Sequence, residues 1–181
     1  TPRPKRCWPE FKPLPVHPGM TIPTAALAAI DAGLPLLPAA MDSEPARVML
    51  LAIGLQESGL TSRVQIVDGG GQGPARGLWQ FERGGGCAGV LKHSASRYWM
   101  HSVCTARGVK PSPAELWAAL AADDVLAAAA ARLLLFTDPK HLPAVGDEAG
   151  AWALYLRVWR PGKPHRIRWS ANYSQAVGVA V

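Results

Sequence analysis

The sequence predicts a mostly α-helical domain with one small β lobe, an α+β arrangement in which the helices dominate. Segments with capping residues and apolar helical spacing run from residue 24 almost to the C-terminus. They are interrupted once, over residues 60–86, by glycine clusters and short alternating stretches. The chain has 181 residues, which is long enough for a single domain with one hydrophobic core.

The first 23 residues differ in composition from the rest of the chain. They hold seven prolines and show no helical periodicity. We therefore predict an extended proline-rich arm or linker over residues 1–23 and a folded domain over residues 24–181.

The helices are predicted from their start and stop signals. A short helix is expected at 23–32. Ser43 is a favourable N-cap, a proline follows in the first turn, and Gly59 is a favourable terminator, so a second helix is expected over 44–58. Further helices are predicted at 88–106, 113–122, 123–136, 147–159 and 170–178.

The β lobe is predicted between the second and third of these helices, within residues 60–86. Glycine triplets stand at 69–71 and 84–86. The stretches at 63–67 and 78–81 alternate between apolar and polar residues, so they favour short strands over another helix.

The composition is that of a globular protein with a basic surface. Hydrophobic residues make up 49% and charged residues 18% of the chain, which argues against disorder. A net charge of +6 favours an anionic partner such as nucleic acid, an acidic membrane or the bacterial cell wall. No apolar run is long enough for a membrane span, and no basic-then-apolar leader is visible at the start.

Cysteine and histidine residues do not form a metal-binding pattern in the sequence. The five histidines are scattered, and no phosphate-binding loop, dinucleotide fingerprint or nucleophile elbow is present, so no metal or cofactor is expected. Cys87 and Cys104 allow either one disulfide or two buried free thiols, and the sequence leaves both open.

One carboxylate stands out on the predicted helix over 44–58. Glu57 shares a helical face with Leu50, Ile53 and Leu60, which form an apolar stripe. Burial in such a stripe disfavours the charged form, so the pKa of Glu57 is expected to be raised, as a general acid near neutral pH requires. The alternative is a glutamate in the last helical turn whose carboxylate simply reaches solvent.

Two ordered motifs carry a family resemblance. Glu57-Ser58 at a helix end, followed by Gly77-Leu78-Trp79-Gln80, resembles the lysozyme superfamily, and most closely the goose-type lysozymes and soluble lytic transglycosylases. Those families place Gly-Leu-Met-Gln a little over twenty residues after the catalytic Glu-Ser, so Trp79 replaces a methionine here. Of a third family motif, a Tyr-Asn-Ala-Gly turn, only Tyr155 and a later Pro-Gly remain. The resemblance implies a helical body, a small lobe and a cleft between them.

The resemblance also implies a reaction, cleavage of the β-1,4 bond between N-acetylmuramic acid and N-acetylglucosamine in bacterial peptidoglycan. Glu57 would be the general acid. Glu82, two residues after the motif glutamine, and Asp68, in the preceding glycine-rich loop, are the candidate bases that activate water, and the choice between them is open. Pairing of Glu82 with Arg76 or Arg83 on the surface is the alternative.

Four further residues are predicted to bind the substrate: Ser58, Trp79, Gln80 and Tyr155. Gln80 would position it through its amide, or else cap a strand end. Ser58 would bond Glu57 or the helix backbone. Tyr155 would hydrogen-bond near Glu57 or pack in the core.

Other functions remain open at this stage. A lytic transglycosylase would use Glu57 alone and give 1,6-anhydro products, and a related enzyme would cleave chitin. A non-catalytic basic module for cell wall or nucleic acid would use the aromatic and basic residues over 152–169. Of these functions we expect the muramidase activity described above, in a monomeric protein without a nucleic-acid partner. It would be phage-encoded or secreted and act on the cell wall, in the periplasm or outside the cell.

Overall fold

The computed structural model describes residues 21–180, so most of the predicted proline-rich arm lies outside the described residues. Helix makes up 61% and strand 6% of the structure, which confirms the mostly α prediction. Within the described range, no helix combines the length and the apolar character that crossing a membrane requires. The elements are α1 (Thr24–Gly33), α2 (Glu44–Ser58), β1 (Val64–Ile66), β2 (Gln72–Arg76), β3 (Phe81–Glu82), α3 (Ala88–Lys92), α4 (Arg97–Ala106), α5 (Pro113–Ala119), α6 (Asp124–Phe136), α7 (Glu148–Trp159) and α8 (Arg166–Ala180).

The second helix, α2, lies at the centre of the domain and has the predicted bounds. The hydroxyl of Ser43 accepts a hydrogen bond from a backbone N–H of the first turn at 3.4 Å, and Gly59 ends the helix with a φ of 66°. Every residue over 48–56 is buried, as expected for a helix that is apolar on all sides. The helix reaches the surface at its last turn, which carries Glu57.

Helices α8 and α6 cover α2, and α1 packs on the other side of α6. The five alanines at 127–131 of α6 are each at most 1% exposed, and their small side chains allow neighbouring helices to approach closely. Gly33 at the end of α1 shows how close this approach is, because a Cβ there would lie 2.8 Å from the carbonyl oxygen of Val125.

The β lobe is a three-stranded antiparallel sheet in the order β1-β2-β3. Ile66 pairs with Gln72 across the first hairpin, and the glycines at 69–70 close its turn with φ values of 92° and 83°. Arg76 at the end of β2 pairs with Phe81 of β3. The sheet leads the chain back onto α2, so the lobe lies beside the last turn of that helix.

The single helix predicted over 88–106 is wrong, because the chain forms α3 and α4 with a turn at residues 93–96 between them. Ser96 is fully buried in this turn, and its hydroxyl donates a 2.8 Å hydrogen bond to the carbonyl oxygen of Val90. Such a bond from side chain to backbone competes with helix continuation and fixes the change of direction.

The lobe also differs in detail from the prediction. Residues 77–80 form a turn, so the strand expected at 78–81 is reduced to Phe81–Glu82. The strand at Gln72–Arg76 was not predicted, because its glycine and proline disfavour strand structure.

Two helix bounds were misplaced as well. The last helix begins at Arg166 rather than near 170, and the helix predicted over 113–122 ends at Ala119.

Both described cysteines are free thiols, which decides between the two open alternatives for Cys87 and Cys104. Each is fully buried. Burial raises the pKa of Cys87 to about 12 and that of Cys104 to about 11, so both are protonated and unreactive at neutral pH.

Candidate active site

A cleft of about 1890 Å³ lies beside the end of α2. Residues 55–59 line it together with the β lobe and with the end of α7, the following loop and the start of α8. A concave site with a few convergent polar groups is where ligand binding is expected first. Six of the seven predicted site residues line this cleft: Glu57, Ser58, Asp68, Gln80, Glu82 and Tyr155.

Glu57 stands in the last turn of α2 and faces the cleft, with its carboxyl group largely withdrawn from solvent. Burial raises the pKa of Glu57 above its ordinary value of 4.5. The hydrogen bond from Tyr155 and the positive charge of Arg168 lower this pKa, and the negative charge of Glu82 raises it. The net shift is upward, because desolvation is the largest of these effects.

Tyr155 of α7 reaches across the cleft floor to this carboxyl group. Its hydroxyl donates a 2.7 Å hydrogen bond to Oε1 of Glu57. The tyrosine is only 2% exposed, and its ring stacks on that of Trp169 with a centroid distance of 5.1 Å and an interplanar angle of 16°. Trp152 contacts the same ring at 5.3 Å. Tyr155 therefore both packs in the core and holds Glu57, the two roles that the sequence left as alternatives.

Glu82 of β3 projects from the lobe into the same cleft and is exposed. The alternative, surface pairing of Glu82, is not formed, since neither Arg76 nor Arg83 makes an ion pair with Glu82 within the described range. Arg76 instead lies over the ring of Trp117 at 4.3 Å and donates to backbone carbonyls of β2. The carboxylate of Glu82 is thus free to face Glu57.

Asp68 lies farther out, where the hairpin of β1 and β2 turns, and it is exposed on the cleft side of the lobe. Of the two candidate bases, Glu82 is the one whose negative charge raises the pKa of Glu57. This electrostatic coupling favours Glu82 over Asp68 as the partner of the buried acid.

Gln80 has a φ of 51°, a left-handed conformation that is rare for a residue with a side chain. Its Nε2 donates to the carbonyl oxygen of Gly77 at 2.9 Å, which closes the turn between β2 and β3, and to that of Ser62 at 3.3 Å, which ties this turn to the segment before β1. The amide oxygen accepts no hydrogen bond from the described part of the chain, so it remains available to a ligand in the cleft. A strained backbone at a cleft is a common mark of a functional position.

Ser58 joins the helix end to the lobe instead of bonding to Glu57. Its hydroxyl lies 2.6 Å from the carbonyl oxygen of Leu78 and 3.3 Å from that of Gly54, and it accepts from the N–H of Leu60 at 3.1 Å. Ser58 therefore fixes the distance between Glu57 and the turn at residues 77–80.

The prediction that Trp79 binds substrate is wrong, because this side chain is fully buried and does not reach the cleft. Its Nε1 donates a 2.8 Å hydrogen bond to the carbonyl oxygen of Leu50 in the middle of α2. Its own carbonyl oxygen accepts a 3.1 Å hydrogen bond from Trp159 of α7. Trp79 is the anchor that holds the lobe against the helical body.

The first turns of α8 supply site residues that sequence reasoning missed. Asn172 donates a 2.8 Å hydrogen bond to Oε1 of Gln56, and Nε2 of Gln56 donates to the carbonyl oxygen of His165 at 3.1 Å. This pair of bonds fixes α8 beside Glu57 and places Arg168 on the cleft. The spacing of Arg168 and Asn172 at i and i+4 was the available signal, but a helix start predicted near 170 hid it.

Comparisons of the chain with protein families, with curated proteins and with solved structures gave no match. No group of three or more metal-ligating side chains comes together within residues 21–180. Function therefore has to be inferred from the cleft itself.

Proposed function

We propose that this protein is a glycosidase that degrades peptidoglycan, with Glu57 as its general acid. The observation that carries the proposal is a single carboxyl group with a raised pKa, held by a tyrosine at the floor of an open cleft. A carboxyl group that keeps its proton near neutral pH can donate it to a leaving-group oxygen. Glycoside cleavage needs this step because an alkoxide is a poor leaving group.

The cleft also offers the second group that hydrolysis needs. Glu82 is exposed, carries no ion-pair partner in the described structure and acts electrostatically on Glu57. Two carboxyl groups in contrasting environments divide naturally into an acid and a base. We assign Glu57 as the proton donor and Glu82 as the base that activates water, with Asp68 as the alternative base.

The bond that we assign to this chemistry is the β-1,4 link between N-acetylmuramic acid and N-acetylglucosamine. The ordered motifs around Glu57 and Gln80 support this assignment, as does a basic protein surface suited to an anionic polymer. The free amide oxygen of Gln80 can accept a hydrogen bond from an N-acetyl N–H group.

The test is mass spectrometry of the soluble products released from purified peptidoglycan by the wild type, Glu57→Gln and Glu82→Gln. Sugars with a free reducing end are the expected wild-type products. Removal of the general acid in Glu57→Gln should lower the rate by roughly 10²- to 10⁴-fold. Glu115→Gln, an exposed carboxylate on α5 outside the cleft, is the matched control and should retain full activity.

The other outcomes identify the alternatives. Products lighter by one water, formed equally well by Glu82→Gln, would mean a lytic transglycosylase that uses Glu57 alone. No products from the wild type would leave a basic binding module. In that case, binding to cell wall or nucleic acid should survive Glu57→Gln and weaken with salt.

A further inference from the structure

The end of α7, the following loop and the start of α8 bring to the cleft positive charges that form no salt bridge within residues 21–180. Arg160, Lys163 and Arg168 are exposed and line the cleft. Within the described chain none of the three forms a salt bridge. We refer to these three residues as the cationic flank.

Neighbouring arginines on the same segment are neutralised. Arg157 pairs with Asp138 at 2.8 Å, and Arg166 pairs with Glu148 at 3.0 Å. Arg157 and Asp138 also line the cleft, so the charge that this segment leaves without a carboxylate partner there is that of Arg160, Lys163 and Arg168.

The β lobe adds negative charges to the same cleft, whose lining also includes Lys92 of α3. Asp68 and Glu82 project from the lobe and have no ion-pair partner among the described residues. A ligand with negative groups along one edge is attracted by the cationic flank and repelled by the lobe, so the cleft fixes its orientation.

The cationic flank is also held at a defined place relative to Glu57. Arg160 ends α7 with a φ of 49°, and its Nε donates to the carbonyl oxygen of Arg157. Arg168 belongs to α8, which the Gln56 hydrogen bonds fasten to α2, and its charge acts on the Glu57 carboxyl group. An anion bound here shares the cleft with the Glu57 carboxyl group, which suits a negative group carried by a sugar near the cleaved bond.

We propose that the cationic flank binds the carboxylates of the stem peptide on the muramyl residue, and so selects peptide-bearing glycan over neutral chitin-like chains. This inference rests on the proposed function and adds the substrate class. In peptidoglycan, stem-peptide carboxylates are the negative groups that branch directly from the glycan chain.

The experiment compares two forms of teichoic-acid-free peptidoglycan. In one form the free carboxyl groups are intact, and in the other they are converted to neutral amides by carbodiimide coupling to ammonia. The enzymes are the wild type, Arg160→Gln/Lys163→Gln, and the control Arg97→Gln/Lys110→Gln, which removes the same charge from exposed sites outside the cleft. The value of kcat/KM is measured for each pair.

For the wild type, amidation should lower kcat/KM by about three- to tenfold, as expected for the loss of two exposed charge pairs. The Arg160→Gln/Lys163→Gln variant should lose a similar factor on intact peptidoglycan and little more on amidation, since the lost interaction is the same. The control variant should respond to amidation as the wild type does.

Equal wild-type rates on both forms would overturn this inference and leave the proposed function standing. So would a double variant that loses the same factor on both forms. Walls that retain teichoic acid are assayed in parallel, and a loss by the double variant on these walls alone would assign the cationic flank to phosphate and overturn the stem-peptide assignment. Absence of any cleavage by the wild type would instead remove the proposed function, and this inference with it.

Discussion

The hydroxyl of Tyr155 donates a 2.7 Å hydrogen bond to Oε1 of Glu57, and so connects residues that are 98 positions apart in the chain. The bond joins the middle of α7 to the last turn of α2 across the cleft floor. It fixes the direction of the Glu57 carboxyl group, and it moderates the rise in pKa that burial produces. Both effects bear directly on a general acid.

Tyr155→Phe should raise the pKa of Glu57 further, because the lost hydrogen bond favours the charged form. A general acid has to be protonated, so the alkaline limb of the pH profile of kcat/KM should move to higher pH. The rate at the optimum should fall as well, since the carboxyl group loses its orientation. An alkaline limb that stays in place, or moves down, would contradict this role of Tyr155.

The ring of Tyr155 remains packed in this variant, so stability should change little. We expect a loss of about 1 kcal/mol in the free energy of unfolding, the usual contribution of one hydrogen bond. Urea denaturation of both proteins at one pH measures it. A loss several times larger would mean that the pH profile reports a disturbed core instead of a disturbed acid.

Glu57→Gln should be more stable than the wild type at pH 7. The pKa of Glu57 is raised in the folded state, so the folded protein holds the proton more tightly than the unfolded chain does. The stability that this tighter proton binding contributes is fully present below 4.5, the pKa in the unfolded chain, and it is lost as pH rises through the pKa in the folded state. The glutamine variant has no such loss, because its amide does not ionise and still accepts from Tyr155.

Urea denaturation at pH 4 and pH 7 tests this prediction. The gain in unfolding free energy should be present at pH 7 and should shrink towards zero at pH 4, where the wild-type glutamate is protonated in both states. An equal difference at both pH values would show that packing, and not ionisation, separates the two proteins.

The central helix and its acid could be predicted from sequence because their signals are local. Ser43 and Gly59 mark the ends of α2 within one turn of the chain, and the apolar stripe beside Glu57 lies on the same helix. The raised pKa follows from that stripe. The hydrogen bond from Tyr155 was expected only as one alternative, since it depends on where α7 packs.

The positions of Trp79 and Arg168 could not be predicted, because tertiary packing decides them. A tryptophan in a motif turn has the same sequence pattern whether it faces the cleft or, as here, bonds to Leu50 in the core. Arg168 reaches the site only because Gln56 and Asn172 fasten α8 to α2, a contact between distant parts of the chain.

Trp169→Ala should destabilise the domain strongly and weaken catalysis. This side chain is fully buried and stacks on both Tyr155 and Tyr173, so its removal leaves a large cavity behind Tyr155. A buried tryptophan replaced by alanine costs about 3–5 kcal/mol. Trp169→Phe should be far milder, because it keeps a stacking ring and because the indole N–H has no hydrogen-bond partner within residues 21–180.

Thermal unfolding and kcat measured on both variants test the point. The phenylalanine variant should keep most of the activity of the wild type. If it were as inactive as the alanine variant while remaining folded, the indole itself would have a role beyond supporting Tyr155.

Gly54→Ala should also impair the enzyme, although it lies one turn before Glu57 and does not touch the cleft. An added Cβ would lie 2.9 Å from Cγ of the buried Leu60 and 3.3 Å from Nε1 of Trp79, the atom that bonds to α2. Overpacking of this kind costs about 1–3 kcal/mol, and here it pushes the turn at residues 77–80 away from α2. We therefore expect a lower free energy of unfolding together with a lower kcat.

The matched control is Gly178→Ala, near the end of α8. A Cβ at this position meets no atom within 4 Å, so the substitution adds helix propensity without a clash. It should stabilise the protein by about 0.5–1 kcal/mol and leave kcat unchanged. The two alanine variants should therefore change the free energy of unfolding, measured by urea denaturation, in opposite directions from the wild type. Only Gly54→Ala should lower kcat. Full activity in Gly54→Ala would show that the lobe tolerates displacement from α2, and that Trp79 anchors structure without setting the geometry of the site.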